Sequence, residues 1–153
     1  MKLAFIPLML LFTILSLAAA SPYEAAGRVT HVADGDTFDV QLQEHDSRIN
    51  EDLIRIRLAD IDCPETRGPE ASEAGRNATD YTCSWLLNNF VFLDLDDKTG
   101  KDQYGRWVAV VYLANLNGSI NLSRNFNRML VDSGNAVIED FKNNEFDPQS
   151  GWS

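Results

Sequence analysis

Three short segments hold the residues that could do chemistry: Asp34-Gly35-Asp36-Thr37, then Arg57-Leu58-Ala59-Asp60-Ile61-Asp62-Cys63-Pro64-Glu65, then Asp102-Gln103-Tyr104-Gly105-Arg106. Each stands beside a strand end or a tight turn in the pattern of the chain. Carboxylates capture a hard divalent cation and can deprotonate a water. Arginines grip phosphate with a planar fork and keep their charge at any usable pH. Metal-assisted hydrolysis of a phosphodiester needs those parts together.

Taken singly, each segment has a bland reading. Asp34-Gly35 is a common hairpin turn. Arg57 could pair with an acid across a sheet, Glu65 could be a solvated loop carboxylate, and Asp102 could cap the turn that ends at Arg106. The Asp62-Cys63-Pro64 run shifts the balance. A proline forces the residue before it to be extended, so the Cys63 carbonyl can be held out of any strand ladder. Asp36, Asp62, that carbonyl and waters would make an oxygen shell suited to Ca²⁺.

These segments need elements to position them. Arg28 to Val32 and Phe38 to Leu42 read as strands joined by the Asp34-Gly35 turn. Ile54, Ile56 and Leu58 alternate with Arg55 and Arg57 as a third, half-buried strand. A helix follows over 69–88, opened by Pro69, with Ala74, Ala78, Tyr81 and Trp85 at helical spacing. Phe90 to Leu95 and Trp107 to Leu113 are two further strands. Leu122, Phe126, Met129 and Leu130 mark a second helix, stopped by Gly134. Periodicity alone supports a small mixed barrel or an α+β domain.

In this order and spacing the segments resemble the staphylococcal-nuclease-like (thermonuclease) family over about Gly27 to Phe146. The resemblance implies a mixed α+β, mostly β fold: a five-stranded barrel of the oligonucleotide-binding (OB) type with two packed helices. It implies Asp36, Asp62 and the main-chain oxygen of Cys63 as metal ligands, with Asp34 and Thr37 orienting ligands and water from behind. Glu65 becomes the general base, and Arg57 and Arg106 the phosphate clamps. Tyr104, Tyr112 and Phe141 are candidates for contact with substrate. Where the family's best-known member stacks tyrosines on a base, this chain reads Val137-Ile138-Glu139-Asp140-Phe141-Lys142, which offers one ring and no hydroxyl.

At 153 residues the chain has room for one domain with a core of its own. Residues 1–20 stand apart. Lys2 precedes an apolar run that ends in Ala18-Ala19-Ala20, as in a secretory signal, and an uncleaved anchor is the competing reading. Residues 21–26 read as a linker, 27–146 as the domain and 147–153 as a polar tail. Export, an extracellular or cell-surface location and a monomeric state are expected, without stable membrane association unless the first segment is retained. The net charge of −10 is awkward for a binder of nucleic acid, so any attraction for phosphate must be local. Cys63 and Cys83 could form one bridge closing a loop of about 20 residues, or remain two thiols.

The expectation is thus an exported Ca²⁺-dependent nuclease that hydrolyses DNA and RNA phosphodiesters, with 3′-phosphate ends implied by the resemblance. The alternative is a non-catalytic nucleic-acid- or protein-binding barrel. Such copies typically lack some of the metal carboxylates or phosphate arginines, and this chain has them all.

Overall fold

A computed structural model describes residues 21–152, so the apolar stretch 1–20 and its reading as a signal or anchor lie outside the described residues. The strands are β1 (Ala25–Asp34), β2 (Thr37–His45), β3 (Leu53–Leu58) and the short β4 (Ile61–Asp62). A 3₁₀ turn at Gly68–Glu70 leads into α1 (Glu73–Leu86). Then come β5 (Phe90–Leu95), β6 (Trp107–Ala114), β7 (Ile120–Asn125), α2 (Phe126–Asp132) and β8 (Val137–Ile138).

The alternation in β2 is what makes it a barrel strand: Phe38, Val40 and Leu42 are buried while Gln41 is exposed. Strand order is β3-β2-β1-β5-β6, antiparallel throughout. A parallel pairing of β3 with β6 (Ile56 with Trp107, Leu58 with Ala109) closes the ring, so these five strands leave no open edge. β1 serves two neighbours by bending, with register shifts at three places along its pairing with β2. At Gly27 the β2 backbone comes so close that a Cβ would collide with the Gln41 carbonyl. The five-stranded barrel with two helices is the one expected, and β7 is an addition on the outside of β6.

Two helix expectations need correction: the helix expected over 69–88 is α1 at Glu73–Leu86, and Pro69 belongs to the 3₁₀ turn before it. The buried face of α1 is Gly75, Ala78, Thr82 and Leu86, whereas Ala74 is exposed and Tyr81 and Trp85 lie at the margin. The helix presses on the barrel with its smallest residues, and its aromatics turn towards α2, where Tyr81 stacks on Phe126 at 6.2 Å. The second helix begins at Phe126, later than its expected stripe. Leu122 belongs to β7 and is 56% exposed. The Asn125 side chain accepts from the Arg128 amide at 3.1 Å, and this cap fixes the start. Gly134, at φ 76°, ends the helix as expected.

Asn127 is fully buried and staples α2 to the barrel. It donates to the carbonyls of Ala59 (2.9 Å) and Ala109 (3.2 Å) and accepts from the Val111 amide (3.1 Å). The segment read as a polar tail carries its own anchor. Trp152 is 1% exposed and its Nε1 donates to the Ala59 carbonyl at 3.0 Å. Among the described residues no helix is long and apolar enough to cross a membrane.

Candidate active site

The turn between β1 and β2 is built around a missing side chain. A Cβ on Gly35 would lie 2.8 Å from both Ala78 Cβ and Cys63 Sγ. Glycine is therefore required by space, since its φ is not positive. Thr82 of α1 donates to the Gly35 carbonyl at 2.6 Å in a buried setting. The turn that aims Asp36 is thus clamped by helix and hydrogen bond together.

From this turn one chain of hydrogen bonds and ion pairs crosses the site. Asp102 accepts from Arg106 Nε at 2.7 Å and from the Arg106 and Tyr104 amides at 3.0 and 2.9 Å. Burial acts to raise the Asp102 carboxyl, but the Arg106 amide and guanidinium outweigh it and hold it below the ordinary range. Arg106 Nη1 donates to Thr37 Oγ1 at 3.2 Å, and Thr37 Oγ1 donates to Asp36 Oδ1 at 3.0 Å. Asp36 Oδ2 takes the Cys63 amide at 3.1 Å and Arg57 Nη1 at 3.0 Å. Arg57 Nη2 continues to Asp62 Oδ1 at 3.0 Å. Asp36 is nearly buried, whereas the Asp62 side chain is 55% exposed, so one carboxylate is fixed and the other faces solvent.

Asp34 stands behind this chain. Its Oδ1 is buried without a hydrogen-bond partner. Burial first, and the neighbouring Asp36 charge second, push its carboxyl up. An orphaned buried oxygen beside a second carboxylate is an excess of acceptors that a cation would relieve. Among the described residues no three His, Cys, Asp or Glu side chains converge as a metal cluster. A cation here would instead take the Asp36 and Asp62 carboxylates, the Cys63 carbonyl and water. That hard-oxygen donor set fits an ion of the Ca²⁺ kind.

Glu65 is exposed, and among the described residues its carboxylate makes no hydrogen bond or ion pair. Its main chain is held firmly instead. The Ser72 amide donates to the Glu65 carbonyl at 3.0 Å, and a Cβ on Gly75 would collide with that carbonyl. The side chain is free to act while its base is fixed.

A cleft of about 480 Å³ opens beside these groups, lined by Arg57, Asp60, Lys101, Tyr104, Arg106 and Phe141 among others. Arg106 lies over the Tyr104 ring at 5.2 Å and Arg57 over the Phe141 ring at 5.9 Å. Phe141 arrives there because β8 pairs with β4 (Ile61 with Ile138, Asp62 with Val137). Tyr112 is not brought to this cleft; it lies in β6 opposite Phe92, where burial and the nearby Asp94 raise its hydroxyl pKa.

The cysteine alternatives resolve to two free thiols. Cys63 is buried under the hairpin, and burial drives its pKa well above the usual thiol range, while Cys83 is half-buried on α1.

Sequence reasoning missed Asp60, Thr82 and Asn127. Asp60 adopts φ 53°, its carbonyl accepts the Glu139 amide at 3.1 Å, and its Oδ1 accepts Phe141 N (2.9 Å) and Asn144 Nδ2 (2.6 Å). It ties the segment carrying Phe141 to the strand end carrying Asp62. Only Asn127 had a legible signal, an amide next to Phe126 and three positions before Leu130 in an apolar stripe.

A family model described as "Staphylococcal nuclease homologue" matches residues 55–150. Protein ParB of Escherichia coli is 31% identical over 87% of this chain and 69% of its own length. A micrococcal nuclease of Shigella flexneri is 36% identical over 72% of this chain and 56% of its own. A thermonuclease of Staphylococcus intermedius is 33% identical over 63% of this chain and 54% of its own. The chain therefore spans little more than half the length of the latter two.

Proposed function

This chain belongs to the staphylococcal nuclease homologue family, and from that premise we propose that it is an exported, monomeric, Ca²⁺-dependent nuclease that cleaves DNA and RNA and leaves 3′-phosphate ends. The observation that carries the reading is the single bonded run Asp102–Arg106–Thr37–Asp36–Arg57–Asp62, with the Glu65 carboxylate, unpartnered among the described residues, three residues beyond its end.

The residues divide the work. Asp36, Asp62 and the Cys63 carbonyl would hold the cation, which when bound supplies positive charge for the phosphate and lowers the pKa of nearby water. Glu65 takes the proton from the attacking water. Arg57 and Arg106 meet the charge that grows on the phosphoryl oxygens, and their anchors keep both forks aimed before substrate arrives. Tyr104 and Phe141 present ring faces at the mouth of the cleft, where bases could stack.

The test is digestion of plasmid DNA and of RNA with Ca²⁺, with and without a chelator. Metal affinity of Asp36→Ala and Asp62→Ala is measured in parallel by calorimetry. Chelator-sensitive cleavage and weakened metal binding in both variants are expected. Cleavage indifferent to chelator, or unchanged affinity, would remove the metal assignment.

A further inference from the structure

Against a net charge of −10, free guanidinium groups should be rare. Among the described residues, Arg67 and Arg76 make no side-chain hydrogen bond, ion pair or ring contact. The other arginines are held by carboxylates, by the Asn88 carbonyl in the case of Arg28, or by the Trp85 ring in the case of Arg124. The two free ones line the same cleft, of about 270 Å³, with Ala33, Thr66, Thr79 and Asp80. Asp80 stands one helical turn beyond Arg76 yet takes neither guanidinium.

This cleft shares no residue with the larger one, and two of its residues are chain neighbours of Asp34 and Glu65. Ala33 precedes Asp34 and Thr66 follows Glu65, whereas Arg57 and Arg106 reach Asp36 and Thr37 from the other cleft. Gly75 lets α1 dock directly on the Glu65 main chain, which fixes Arg76 beside it. Two like charges in one small cleft are a standing cost that an anion would offset. The cleft hydroxyl of Thr66 is a further donor suited to phosphate oxygens, whereas that of Thr79 is already given to the Gly75 carbonyl at 3.1 Å.

We propose that Arg67 and Arg76 form a second phosphate-binding stretch, which takes the polynucleotide backbone on the Glu65 side of the cut. The proposal rests on the nuclease reading and deepens it: the substrate is a strand extending beyond the scissile bond, gripped on both sides, and not a small isolated diester.

The experiment compares the dinucleotide dTpdT with an oligothymidylate of about 20 nucleotides, in the unaltered protein, R67Q/R76Q and R67K/R76K. For the glutamine pair the ratio of kcat/KM, long over short, should fall about tenfold; for the lysine pair it should stay within about twofold. Anisotropy of the long strand should show a salt slope (log K against log salt) shallower by about 1.4 in R67Q/R76Q, at about 0.7 per phosphate released on single strands. An unchanged ratio and slope, or equal losses on both substrates, overturns the proposal. Failure of the unaltered protein to cut either substrate would sink the nuclease reading alone. The anisotropy slopes would still decide whether the two arginines hold a strand.

Discussion

The Thr82 hydroxyl and the Gly35 carbonyl meet at 2.6 Å, away from solvent, and this bond fastens α1 to the turn that aims Asp36. Helix and turn are therefore tied directly to each other. Thr82→Val keeps the shape but leaves a buried carbonyl unpaired. It should cost about 1–3 kcal/mol of stability in urea unfolding and lower Ca²⁺ affinity without touching any ligand. Unchanged affinity with lowered stability would show the tie to be structural only.

Glu65 is the residue whose removal should leave the rest of the site standing, because its carboxylate bonds to nothing among the described residues. Glu65→Gln should slow turnover by about 10²–10⁴-fold, while calorimetry finds Ca²⁺ and oligonucleotide affinity little changed. Near-normal turnover at saturating Ca²⁺ would move the base elsewhere.

Arg106 is aimed by Asp102. Arg106→Ala should lower kcat/KM by about 10²–10³-fold, and Arg106→Lys should recover part of it, having charge without the fork. Asp102→Ala should reproduce much of the Arg106→Ala loss by releasing the guanidinium and opening the turn. Steady-state kinetics on one oligonucleotide would rank the three.

The carboxyl of Asp94, on β5, predicts an acid-favouring stability. Burial first, then Glu24, Glu145 and Asp97, push the Asp94 carboxyl up to about 7; Arg48 is the opposing cation and Tyr112 the neighbouring phenol. A carboxyl raised in the folded state contributes stability below its unfolded pKa of about 3.9 and loses it as pH rises through about 7. Asp94→Asn should therefore add about 1 kcal/mol at pH 8, a figure discounted for solvent screening, and close to nothing at about pH 4. Thermal melts at the two pH values would check the sign.

The sequence made most of the barrel legible because its signals are local: alternation in β2 and β3, and short apolar runs in β5 and β6. The candidate site segments were legible for the same reason: each is a short local motif at a strand end or in a turn. What escaped was every bond that spans the chain. Asp60 meets Asn144 across 84 positions and Ala59 meets Trp152 across 93, and no periodic pattern records such pairs. The α1 spacing marks a helix but does not say which face is buried. Large aromatics look like core in a sequence, but close approach to the hairpin demanded Gly75 and Ala78, and the rings were left to fill the flank.

The Cys63 sulfur occupies the notch that Gly35 leaves, beneath the turn and against α1. An alkylating reagent should reach it only when turn and helix stand apart, whereas Cys83 is half-exposed in the folded protein. The protein thus carries an internal gauge of local opening. The rate at which Cys63 gains mass, set against Cys83 in the same molecule, should report how often this corner comes undone. A cation that tightens this corner should slow the first rate and leave the second alone, so ligand binding could be timed without a dye, a substrate or a single substitution.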